Sequence, residues 1–333
     1  MRQPKVARFA ALALVLVLLV PAALAARSAV VAALFLIEFL SAGARPVLSV
    51  VTTTPAVSAL AVPNALVDRY VTPGRANATP LVLVHGLTPD GKDDPRLRQA
   101  ATLLARLGFD VAVPTLPELT RTRLRPEDVA PVIATIAVRP RPTVVVGVSV
   151  GAGLALLAAA DASVRDRVTM VVSLGGYASA AELIRFYLTG EYRFGGEAGR
   201  MPHDPEPVRQ FLEANRDLVD VSARELLSAH DPGAVSASLT RLSPRLRTLL
   251  AALSPERVAR DIRARLILVH GRGDPAVPYT ESLRLAAARP ERTRVVLIGV
   301  VEHVEGARVI GWRHARDLLA LWSVVYDLVG AAR

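Results

Sequence analysis

The chain of 333 residues contains no cysteine. That excludes disulfides, a thiolate nucleophile, cysteine-ligated zinc and a lipid-modified cysteine, and it leaves the compartment open. Aromatic residues are scarce, at 5% of the chain. Lysine is almost missing as well: of 40 Lys and Arg residues, only Lys5 and Lys92 are lysines. The formal net charge of +10 is therefore an arginine charge. An arginine excess suits nucleic acid or an anionic surface, but no aromatic-interleaved basic stripe accompanies it. Its densest run is T-R-T-R-L-R at 120–125, so we expect no nucleic-acid partner and a solvated arginine surface. No group of histidines and acids has the spacing of a zinc site, and neither a metal nor a cofactor is implied.

What the chain has in abundance is apolar residues, 52% of the total. Residues 9–26 carry no charge and follow Arg2, Lys5 and Arg8. Eighteen residues sit at the lower edge of the roughly 17–25 that span a bilayer, and the preceding cations place the N-terminus on the cytoplasmic side. The expectation is an N-terminal membrane anchor and interfacial segment over 1–40, with the remainder exported. The alternative is a secreted protein cut near Ala26, because A-A-L-A-A offers small residues at a cleavage site. A second apolar stretch at 29–37, ending at Glu38, speaks for the anchor and reads as a segment lying in the interface. Residues 41–64, rich in Pro, Ser, Thr and Ala, read as a linker.

From residue 65 onward, short apolar runs alternate with helical periods, the pattern of a mostly parallel, doubly wound sheet with crossover helices. Strands are expected at 66–71, 80–85, 109–113, 143–147, 168–174, 265–270 and 294–299. Most are continuous β-branched runs, as strands buried on both faces require. Helices fit at 94–107, 126–138, 150–160, 279–288 and 306–329. The stretch between residues 174 and 265 lacks strand character and is too long for a bare loop. It reads as a helical cap inserted at about 177–262 in a domain covering 65–330.

Four short motifs stand at predicted strand ends: H-G at 85–86, G-V-S-V-G at 147–151, H-G-R-G-D-P-A-V-P at 270–278, and E-H at 302–303. G-x-S-x-G alone is a weak pattern. Four motifs in this order, each closing a strand, are specific. Together they resemble the α/β-hydrolase superfamily, with its nucleophile elbow and its chain order Ser, Asp, His, over about residues 65–330. The run H-G-L-T-P-D-G-K-D-D-P-R further resembles membrane-anchored bacterial members of dienelactone-hydrolase or acyl-esterase type.

The resemblance implies a serine hydrolase, esterase- or lipase-like, cleaving a small ester, thioester or similar acyl substrate through an acyl-enzyme. A neutral serine hydroxyl needs a neighbouring base. Ser149 would attack, His303 would take its proton, and Asp274 would hold the imidazole in the right tautomer. Gly147 and Gly151 would let the turn pass its neighbours. The amides of Leu87 and Val150 would form the oxyanion hole. His85 and His270, each between a strand and a glycine, read as structural. Tyr177, Phe186, Tyr187, Tyr192 and Phe194 would line an acyl pocket or form the core of the cap. Two other readings use the same residues. One is non-hydrolytic chemistry on this scaffold, a lyase or a cofactor-free peroxidase; the other is a catalytically silent membrane protein that binds a partner. An anionic group at Arg121, Arg123 and Arg125 is conceivable on position alone. Neither the oligomeric state nor the substrate follows from the sequence.

Overall fold

The computed structural model describes residues 3–75, 77–201, 205–229, 231–299 and 314–332. Its centre is an eight-stranded sheet of β1 (Ala56–Ala59), β2 (Val67–Val71), β3 (Thr79–Val84), β4 (Phe109–Pro114), β5 (Thr143–Val148), β6 (Val168–Leu174), β9 (Arg265–Gly271) and β10 (Thr293–Ile298). Spatial order is β1-β2-β4-β3-β5-β6-β9-β10. The β1–β2 and β2–β4 pairs are antiparallel and all others parallel. Each expected strand forms within a residue of its expected bounds. In the run at 168–174 all residues but Thr169 and Leu174 are buried, and the valines at 144–146 are buried throughout, as strands covered on both faces require.

Helices cover both faces. On one lie α4 (Val129–Ala137), α5 (Val150–Ala160) and α11 (Thr280–Ala288). On the other lie α3 (Pro95–Leu107), α12 (Ala315–Ala331) and the end of α1 (Gln3–Leu40). Strand alternation divides the core: Val82, Val84, Val145, Val171, Leu266 and Leu268 point to the α5 side, while Leu81, Leu83, Val146, Val172, Ile267 and Val269 point to the α3 side. This is the period of two that a two-faced sheet imposes.

The N-terminal segment departs from its expected shape. One helix runs unbroken from Gln3 through Pro21 to Leu40, so residues 29–37 continue α1. From Ser28 on, α1 packs on the domain: Trp322 Nε1 on α12 donates to the Ala29 carbonyl at 3.0 Å, and Ala32, Phe35 and Leu36 are buried. Cleavage near Ala26 would leave this stretch covered, which removes the sequence-based objection to a cleaved leader. Glu38, buried, accepts from the amides of Leu48 and Ser49 at 2.8 and 2.9 Å, and so caps the short α2 (Val47–Val51). Residues 41–64, expected as a linker, thus carry α2 and the edge strand β1.

The insertion after β6 contains α6 (Ala180–Thr189), the hairpin β7–β8 (Glu191–Phe194, Glu197–Arg200), α7 (Pro205–Ala214), α8 (Val221–Leu227), α9 (Pro232–Thr240) and α10 (Pro244–Ala252). Leu226, Val235, Leu242 and Leu246 give it a small core of its own.

Candidate active site

Chain order sets the position of the site. From β3 the chain moves outward to β4, then crosses back past β3 to β5. The connections at the carboxyl ends of β3 and β5 therefore diverge, and such a switch point is where open α/β sheets hold ligands. His85-Gly86-Leu87 leaves β3 there, and Ser149 leaves β5.

Ser149 has φ 52° and ψ −132°, a backbone state a side chain rarely adopts and one that costs of order 1–3 kcal/mol. Its amide donates to the Leu174 carbonyl at 2.7 Å, and its carbonyl accepts from Ala152 at 2.9 Å. The strand is thereby held while the helix starts within one residue. Two flanking glycines make the corner possible. A Cβ on Gly147 would lie 2.5 Å from Ala152 Cα, and one on Gly151 would lie 1.8 Å from the His85 carbonyl oxygen. The second distance shows that the loop leaving β3 passes directly over the first turn of α5. Gly86 meets the serine itself, since a Cβ there would stand 3.1 Å from Ser149 Cβ.

This loop is fixed from three directions. His85 Nε2 accepts from the Leu116 amide at 2.9 Å, so Nδ1 carries the proton and donates to the Gly86 carbonyl at 2.7 Å. Burial pushes the His85 pKa down, which keeps the ring neutral. Thr88 Oγ1 donates to Asp94 at 3.0 Å. Asp94 also caps α3 by accepting from Arg96 and Leu97. The Arg96 side chain, with those donors, holds the Asp94 carboxyl down at about 2. Among the described residues, the amides of Leu87 and Val150 donate to no protein acceptor. Val150 is the first residue of α5, where unsatisfied N–H groups and the helix dipole favour negative charge.

Asp274 follows β9. Its Oδ1 accepts from Ala276 at 2.9 Å and Val277 at 3.0 Å, and it is buried yet lines the same cavity as Ser149. His270 lies behind it. Nε2 donates to the Val277 carbonyl at 2.8 Å and Nδ1 accepts from Ser282 at 2.7 Å. Both ring nitrogens are used by the scaffold, as expected of a structural histidine. His303 lies outside the described residues.

The cavity measures about 680 Å³, within the roughly 300–1,000 Å³ of ligand pockets. Leu87, Ser149, Val150 and Asp274 lie on its wall. Of the five aromatic residues named from sequence, Tyr187 alone is among the lining side chains. Tyr177 and Phe186 are buried in the core. Tyr192 packs on Tyr279, and Phe194 under Arg284. Sequence reading missed the lining contributed by α1 and Phe211; their apolar spacing carries no mark of a cavity. The three arginines at 121–125 meet protein groups. Arg121 pairs with Glu118, Arg123 donates to the Ala214 carbonyl, and Arg125 holds Asp217. The last two clamp the cap to the loop after β4.

A model described as the alpha/beta hydrolase fold matches residues 79–304. Among solved structures, a puromycin-hydrolysing peptidase of Mycobacterium tuberculosis is similar at TM-score 0.53 and 17% identity, over 84% of this chain and 39% of that one. A 2,6-dihydroxy-pseudo-oxynicotine hydrolase is similar at 0.53 and 18%, over 89% and 73%. An acylaminoacyl peptidase solved with a chloromethyl ketone gives 0.51 and 14%, over 83% and 41%. The chain spans about two fifths of the length of the two peptidases. At these identities the likeness is one of fold. No curated protein matches the chain by sequence.

Proposed function

The chain belongs to the α/β-hydrolase fold family, whose model covers residues 79–304 of it, and on that premise we propose that it is a serine hydrolase of acyl compounds. The observation that carries the reading is Ser149, held at φ 52° between β5 and α5 on the wall of a cavity it shares with Asp274. Strain of this kind persists where surrounding structure over-determines it. Here the determinants are the glycines that admit the His85 carbonyl and α5 to close approach.

In the proposed reaction Ser149 Oγ attacks the acyl carbon while His303 takes its proton, and Asp274 orients and stabilises the imidazolium. The amides of Leu87 and Val150 donate to the oxyanion. His303 then returns the proton to the leaving group, and water releases the acid. One lost oxyanion donor is typically worth about 10²–10³ in turnover, which makes the bracing of the Leu87 loop by His85 and Asp94 part of the design. Among the described residues one helix is long and apolar enough to cross a membrane; its uncharged part at 9–26, which precedes the stretch packed on the domain from Ser28 on, supports an N-terminal anchor that holds the domain of 65–330 at the membrane surface.

Pre-steady-state hydrolysis of p-nitrophenyl butyrate tests this. The wild type should release a burst of nitrophenol equal to the enzyme present. Ser149→Ala should abolish the burst and lower kcat by roughly 10⁶-fold, and Asp274→Asn by roughly 10⁴-fold. A burst of equal size in Ser149→Ala would sink the proposal.

A further inference from the structure

The cavity at Ser149 does not end beneath the cap. It extends along the α3-side face of the sheet, where Leu83, Val146, Val172 and Val269 form its floor. Its far walls are Leu104 of α3, Val324 and Leu328 of α12, and Phe35, Leu36, Phe39 and Leu40 of α1. Those walls are hydrocarbon. Several of the polar residues on the lining already have protein partners. Asp94 is shared by Arg96, Thr88 and two amides, and both His85 nitrogens are bonded. A polar substrate group placed deep in this space would leave its hydration unreplaced, whereas a hydrocarbon chain asks for no partner there.

We infer that the acyl part of the substrate is a hydrocarbon chain of about eight carbons or more. It lies between the sheet and the α1–α12 wall, so the N-terminal helix itself sets the chain-length limit. This rests on Ser149 being the nucleophile, and it names the substrate class and the subsite for that reaction. Alkyl chains would run from the carbonyl at Ser149 toward Leu36, while the leaving group faces Tyr187 and Phe211 on the cap side.

The test uses the full chain in lipid nanodiscs and p-nitrophenyl alkylphosphonates with chains of four, eight and twelve carbons. Attack by Ser149 forms the Oγ–P bond and breaks the P–O bond to the nitrophenyl group. Nitrophenolate leaves, and the serine proton passes to the base. Nitrophenolate release gives the rate and intact mass gives the adduct. Each methylene buried is worth up to about fourfold, so the twelve-carbon reagent should react at least about 10²-fold faster than the four-carbon one. Leu36→Trp and Leu40→Trp, which fill the cavity from the α1 wall, should each reduce that ratio by about tenfold or more relative to wild type. Partitioning of the reagents into lipid is common to all variants and cancels in the comparison. Ala100→Phe narrows the same space from α3 and serves if a tryptophan on α1 unfolds the protein; reaction with the four-carbon reagent reports a folded site in each. Equal ratios in wild type and variants overturn the subsite while leaving the serine hydrolase standing. No adduct at any chain length removes the serine reading and this inference with it.

Discussion

On the face of the sheet that meets α4, α5 and α11, small side chains close the space. Ala152, Ala155, Ala158 and Ala159 of α5 are fully buried, and a Cβ on Gly147 would be only 2.9 Å from Ala155 Cβ. On the face that meets α1, α3 and α12, larger side chains, among them Phe35, Leu104, Val324 and Leu328, bound the cavity of about 680 Å³. The same β-branched strands supply both floors. What differs is the helix laid on them: an alanine helix approaches closely, while a wall of Leu, Val and Phe held by α1 leaves room. In the proposed reaction the filled face positions Ser149, and the hollow face receives the acyl chain.

The largest break in that arrangement should come from Gly151→Ala. Its new Cβ would fall 1.8 Å from the His85 carbonyl, so the elbow or the Leu87 loop must move. Ester turnover should fall by about 10³-fold or more, on the scale of a lost oxyanion donor, with a lower melting temperature. Turnover near that of wild type would show that the corner is not held as described.

Next in size is a paired substitution that reads the two faces against each other. Ala155→Leu overpacks the filled side and should cost about 1–3 kcal/mol. Ala100→Leu, facing the cavity, should change stability by less than about 0.5 kcal/mol. Urea unfolding midpoints compare them, and equal costs would mean that the hollow face is not hollow.

Asp94→Ala removes the cap of α3 and the anchor of Thr88 together. It should cost about 1 kcal/mol, seen as a fall of roughly 2–4 °C in Tm. The kcat should fall with it, because the Leu87 amide loses its brace. Asp94→Asn, which keeps an acceptor for the helix amides, should recover most of the stability.

The smallest effect is a slope. Glu281, on the filled face, accepts from the amides of Ala178 and Ser179 at 3.0 and 2.7 Å, and burial pushes its carboxyl up to about 7 from 4.5. Between those values the folded state keeps the proton and the unfolded state releases it. Its contribution is therefore complete below pH 4.5 and is lost as pH rises through about 7. Glu281→Gln should flatten that part of the stability–pH curve. Parallel curves for the two proteins would contradict the assignment.

The sheet and the sharp corner at Ser149 were legible because they rest on local chemistry. Continuous valine runs have one use in a parallel sheet, and G-V-S-V-G after such a run leaves few geometries. The hollow face was not legible, since Leu36, Val324 and Leu104 look in sequence like any core residues. The length of α1 was hidden for a related reason. Arg27 ends the uncharged run and reads as the end of an element, yet the helix continues because its next turns bury Ala32 and Phe35 against the domain. The hairpin β7–β8 was missed because the alternation in E-Y-R-F lasts only four residues and E-A-G-R has none; the strands form around Gly195 and Gly196, both at positive φ. The same holds for Arg123 and Arg125, whose partners come from 91 and 92 residues away.

The central claim, that Ser149 is the nucleophile, is tested most directly by reacting the full chain with a fluorophosphonate and mapping the adduct by peptide mass spectrometry. The account predicts one adduct per chain, on Ser149, absent from Ser149→Ala. An adduct on any other residue, or equal labelling of the two proteins, would contradict it.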